Sequence, residues 1–62
     1  MKVYEVVTRF YDNGKVTAAI HTYEMENKPE NRCVEGRTCD TYHDYFTNKQ
    51  KAHKHYDDAR RA

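Results

Sequence analysis

The sequence predicts a small α+β domain of order β-β-β-α, in which an N-terminal antiparallel hairpin and a third strand form a sheet with one C-terminal helix on one face. Three observations predict this class. Apolar and polar residues alternate over residues 2–11 and 15–25, an Asp-Asn-Gly turn separates these runs, and residues 47–62 change to a helical spacing. At 62 residues the chain allows a single domain, 1–62, with one small core.

The first two strands are expected to be joined by a three-residue loop that ends in Gly14. A two-residue loop would pair Val6 with His21 and mix polar and apolar side chains on both faces. The three-residue loop pairs Val6 with Ile20, and Gly14 then adopts the left-handed backbone conformation that glycine tolerates best. This register places one apolar set on a single face: Tyr4, Val6, Phe10, Val16, Ala18 and Ile20.

The middle of the chain is predicted to be a loop followed by a third strand. Residues 26–37 are rich in Asn, Lys, Pro, Glu and Arg, which is typical of a loop. Alternation returns over residues 38–46 and predicts a strand with Asp40 and Asp44 on one side and His43 on the other.

A helix is expected after this strand. Thr47 and Gln50 have the spacing of a capping box, in which both side chains satisfy free N–H groups of the first turn. Ala52, Tyr56 and Ala59 recur at spacings of three and four residues, so they define the side of the helix that packs on the sheet.

One helix covers one face of the sheet, and the other face is expected to be bare. That face is more apolar than a hydrated sheet surface needs to be, and its apolar residues are Val3, Val7, Tyr11, Ala19, Tyr23 and Met25. We therefore expect a non-enzymatic protein–protein interaction module, homodimeric through this uncovered face or through a strand edge. An ordinary hydrated strand surface is the alternative that these residues leave open.

Nucleic acid is the alternative partner. The formal net charge is only +1, but residues 47–62 carry five basic and two acidic side chains. The basic side chains of this expected nucleic-acid surface are Lys49, Lys51, Lys54, Arg60 and Arg61. Asp57 and Asp58 interrupt the surface and no aromatic or glycine-rich recognition motif accompanies it, which favours the protein partner.

Metal binding and catalysis are not expected. Cys33, Cys39 and His43 are zinc-type ligands, but five residues separate the cysteines, whereas zinc knuckles place ligands two to four residues apart. Neither a disulfide nor free thiols are excluded. Asp40, Asp44 and His43 are the tightest acid–base cluster, yet His43 lies on the opposite side of the strand, and the chain has no serine. No catalytic residue, metal ligand or cofactor is therefore assigned.

The expected compartment is the cytoplasm, without membrane association. No apolar run approaches the ~20 residues of a membrane span, and the N-terminus lacks the basic-then-apolar pattern of a secretory signal. Cytosolic cysteines stay reduced by default.

Overall fold

The computed structural model describes residues 1–61 and contains four strands and one helix. The elements are β1 (Lys2–Tyr11), β2 (Val16–Glu24), β3 (Arg32–Glu35), β4 (Cys39–Phe46) and α1 (Lys49–Arg60). The strands form one antiparallel sheet in the order β2-β1-β4-β3. The α+β class is confirmed, with four strands instead of three.

The predicted register of the first hairpin is confirmed. Val6 lies opposite Ile20, and the same offset holds along the whole β1–β2 pair. Gly14 closes the turn with φ 88° and donates its N–H to the Tyr11 carbonyl at 2.9 Å. The Asn13 side-chain oxygen accepts from the N–H of Lys15 at 2.9 Å, which fixes the three-residue loop.

The prediction of one loop over residues 26–37 is wrong, because β3 lies inside it. All four β3 residues are exposed, since β3 is an edge strand and pairs only with β4. A short edge strand buries little on either face and lacks the apolar alternation that reveals a strand in the sequence. In the turn that follows, a Cβ on Gly36 would meet the Cys39 carbonyl oxygen at 2.6 Å, so this close approach requires glycine.

The helix starts differently from the prediction. Asn48 is the N-cap, and its side-chain oxygen accepts from the N–H of Lys51 at 3.1 Å. The Thr47–Gln50 capping box is therefore wrong by one position, and asparagine is at least as good an N-cap as threonine. The predicted packing side is confirmed by Ala52, which is fully buried.

The helix covers the face of the sheet that carries Val6, as predicted, and packs chiefly on β2 and β1. It reaches β4 only lightly, through contacts such as the 5.4 Å approach of the Phe46 and His55 rings. We call the opposite side, which carries Val3, Glu5, Val7 and Arg9 of β1, the open face. The core therefore lies on both sides of β1, with Val6 and Val3 fully buried on opposite faces.

Candidate functional site

The open face exposes less apolar surface than the sequence suggested. Val3 and Val7 are buried although the helix lies on the other side, so other parts of the same chain cover them. Three more of the expected partner-binding residues are half-buried: Tyr11, Ala19 and Met25. Tyr23 is the sixth and is 40% exposed. The exposed apolar groups here are mainly the ring of Tyr23 and, on the edge strand β3, Val34, which is 49% exposed.

A polar cluster surrounds Glu5 in the middle of the open face. Glu5 is only 8% exposed, and Tyr23 Oη donates to its Oε1 at 3.2 Å. His43 Nδ1 lies 3.2 Å from Oε2, and Tyr45 stands directly opposite on β4. Burial of the carboxyl group favours a high pKa, but the neighbouring donor groups of Tyr45, His43 and Tyr23 outweigh burial, and the pKa of Glu5 lies below its ordinary value of 4.5. Glu5 is thus an ionised acceptor that Tyr23 and His43 both contact at 3.2 Å.

Glu5 in turn raises the pKa of the two tyrosines beside it. The hydrogen bond to Glu5, followed by burial, raises the pKa of Tyr45. Burial, followed by the charge of Glu5, raises the pKa of Tyr23. Both hydroxyl groups therefore remain donors. Because an ionised carboxylate only accepts, Nδ1 of His43 carries the hydrogen in this contact and Nε2 lies on the other side of the ring.

A groove lies on the other face of the sheet, between α1 and β4, because the helix leaves this part uncovered. Its volume is about 490 Å³. Phe10 and Tyr42 line it, each 41% exposed, and their rings meet edge to face with centroids 5.4 Å apart. His55 from the helix also lines it and lies 3.0 Å from Asp44 Oδ2. We call this site the aromatic groove.

The rim of the aromatic groove is acidic. Asp44 and Asp58 line it, and Asp40 lies directly opposite Phe10 on β4. Thr8 also lines the groove but is 2% exposed, and its hydroxyl has no hydrogen-bond partner among residues 1–61. This site is not apparent from the sequence, because one helix is expected to cover the whole face that carries Phe10.

The basic side chains expected to bind nucleic acid do not form one patch. At 3.6 residues per turn, Lys49 and Arg60 share one side of α1, while Lys51 and Lys54 project from another. The guanidinium of Arg60 already lies over the ring of Tyr56, 5.3 Å from its centroid. The remaining predicted residue, Arg61, follows the helix as its C-cap.

The two cysteines lie on opposite faces of the sheet. Cys33 pairs with Tyr42 on the side of the aromatic groove, whereas Cys39 pairs with Tyr11 on the side of the open face. Both are free thiols. Within residues 1–61, no three His, Cys, Asp or Glu side chains are grouped closely enough to hold a metal ion.

The acid–base residues are paired differently from the sequence cluster. His43 contacts Glu5, a residue 38 positions away, and Asp44 contacts His55. The remaining member, Asp40, lies on the same face as Asp44 and opposite to His43, as the alternation predicted. The Glu5–His43 contact follows from the β1–β4 pairing, for which the sequence carries no local signal.

Comparisons with known proteins do not add to this description. No protein-family model matches the chain, and neither the curated proteins nor the solved structures contain a match. No helix in the described part of the chain is long and apolar enough to cross a membrane. The functional argument therefore depends on the two surfaces alone.

Proposed function

We propose that this protein is a small, non-enzymatic protein-binding module whose contact surface is the aromatic groove. The observation that carries the proposal is the Phe10–Tyr42 pair, in which two large aromatic side chains are each 41% exposed beside a groove of about 490 Å³. Aromatic residues that lie in a partly formed pocket are typical anchors of protein interfaces. Covering the exposed part of each ring contributes on the order of 1 kcal/mol.

The acidic rim favours a partner that presents a lysine or arginine. Asp58 and Asp40 flank the two rings, and Asp44 is already paired with His55. The aliphatic stem of a basic side chain packs on Phe10 and Tyr42, and its charged end reaches the carboxylates. A cation over an aromatic face adds a favourable electrostatic contribution.

The charges of the groove favour a different protein over a second copy of this chain. A two-fold dimer through the groove would bring Asp44 and Asp58 close to their copies, which is unfavourable, so the groove suits a different protein. A dimer through the open face would gain little from Val3 and Val7, which are already buried. A homodimer through the edge of β3, where Val34 is 49% exposed, remains the alternative assembly.

Selection from a library of short random peptides tests the proposal. Peptides that bind the wild-type protein are expected to carry Lys or Arg next to apolar residues. The variant Tyr42→Ala is expected to weaken their binding at least about tenfold, since it removes an anchor ring. Tyr23→Ala is the matched control, because Tyr23 is exposed to the same extent (40%) but lies on the open face. Asp58→Asn is expected to weaken binding a few-fold.

Two results would contradict this function. Selected peptides that bind Tyr42→Ala as well as wild type, with circular dichroism showing both variants folded, would remove the groove as the contact surface. Sedimentation as a dimer that Tyr42→Ala converts to a monomer would show that a second copy occupies the groove.

A further inference from the structure

The exposed strand residues on the uncovered parts of the two faces differ in charge. On the open face, Arg9 and Arg32 are exposed, and the one acidic strand residue, Glu5, is buried and contacted by Tyr23 and His43. The other face carries Glu35, Asp40 and Asp44 on its uncovered half. The strand residues therefore favour a negatively charged ligand at the open face over the groove.

An aromatic ring is held in a fixed orientation on the same face. The hydroxyl of Tyr23 donates to Glu5 at 3.2 Å, while 40% of the residue stays exposed. The His21 ring, also exposed, lies beside it with centroids 6.3 Å apart. Anchoring the hydroxyl at a buried carboxylate orients the ring before any ligand arrives, which lowers the entropic cost of stacking on it.

We propose that the open face binds a single-stranded nucleic acid, with phosphate groups at Arg9 and Arg32 and a base stacked on Tyr23. Arginine and an aromatic ring are the two groups that such ligands require, one for the backbone charge and one for the base face. Arg9 and Arg32 are two strands and two residues apart, roughly 12 Å from the strand spacing and rise, so they contact different phosphates.

The chemistry of this face distinguishes among ligands. A duplex hides its base faces in the stack and offers nothing to Tyr23, whereas a single strand presents them. A protein partner would find little apolar surface at the centre of this face, because Val3 and Val7 are buried and the exposed Val34 lies on its edge strand. The proposal is independent of the protein-binding function, because the two surfaces are on opposite faces of the sheet.

Two double variants with the same loss of charge test the proposal. Arg9→Gln with Arg32→Gln removes two positive charges from the open face, and Lys51→Gln with Lys54→Gln removes two from the helix. Binding is followed by fluorescence anisotropy of labelled oligonucleotides of about 12 nucleotides, as single-stranded RNA, single-stranded DNA and duplex DNA. Measurements at about 50 and about 200 mM salt give the salt dependence.

The open-face double variant is expected to weaken single-strand binding at least about tenfold, while the helix double variant changes it less than about threefold. Tyr23→Ala is expected to weaken binding roughly tenfold. Tyr23→Phe is expected to weaken it less, since phenylalanine keeps the ring and loses only the hydrogen bond to Glu5. Tyr42→Ala, which alters the aromatic groove, is expected to leave single-strand binding unchanged.

Three results would overturn the proposal. The first is no binding of either single strand by the folded wild-type protein at the lower salt concentration. The second is an equal loss in the two double variants, which would indicate unspecific attraction, and the third is tighter binding of the duplex. Whether the RNA or the DNA strand binds more tightly identifies the natural ligand within the proposed class.

Discussion

Replacing Glu5 with alanine is expected to lower the free energy of unfolding by roughly 2–3 kcal/mol, a large part of the few kcal/mol available to a domain of this size. Glu5 is 8% exposed, and its removal leaves the hydroxyl of Tyr23 without its acceptor. His43 Nδ1 loses its partner as well. Urea denaturation followed by circular dichroism at neutral pH measures the change.

Glu5→Gln is the matched control for the charge. The amide keeps the shape and one acceptor oxygen, so it is expected to cost less than the alanine variant. Because the pKa of Glu5 is lowered by folding, its ionisation stabilises the wild-type protein above the unfolded value of about 4.5, and this contribution is lost as the pH falls through the lowered pKa. Glu5→Gln should lack that part of the acid sensitivity. An identical decline of wild type and Glu5→Gln between pH 5 and pH 3 would contradict the assignment of Glu5 as ionised.

The elements that the sequence predicted correctly are those with strong local patterns. The β1–β2 register follows from the alternation of apolar and polar residues. A shift by one residue would move Val6 away from Ile20 and mix apolar and polar side chains on both faces. The helix side follows from the spacing around Ala52. β3 has no such pattern, since its four exposed residues gain their structure from pairing with β4 alone.

The two candidate sites could not be predicted from the sequence, for different reasons. The cluster around Glu5 joins residues 38 positions apart, so it appears only once β4 is known to pair with β1. The aromatic groove results from the difference in width between the sheet and the helix. Four strands span roughly 14 Å between their outer axes, whereas one helix is about 10 Å wide and lies over β1 and β2. Tyr42 on β4 is left uncovered, and Phe10 near the end of β1 contacts it there.

A reciprocal pair of substitutions on β1 is expected to change stability in opposite directions. Val6 and Thr8 are consecutive inward-facing residues on the helix-covered side, 0% and 2% exposed. The Thr8 hydroxyl has no partner within the described residues, so Thr8→Val removes a buried unsatisfied group and should raise the free energy of unfolding by about 1 kcal/mol. Val6→Thr places a hydroxyl group without a partner under the helix and should lower the free energy of unfolding by roughly 1–3 kcal/mol.

Valine and threonine have the same shape and are both β-branched, so strand propensity and packing volume are nearly constant in this comparison. The difference between the two variants therefore measures the burial of one hydroxyl group, provided that the urea dependence of unfolding stays unchanged. If Thr8→Val lowered stability, the Thr8 hydroxyl would have a partner, such as a bound water molecule beneath the aromatic groove. In that case the groove floor would be polar, and a ligand group that reaches Thr8 would bind through that hydroxyl.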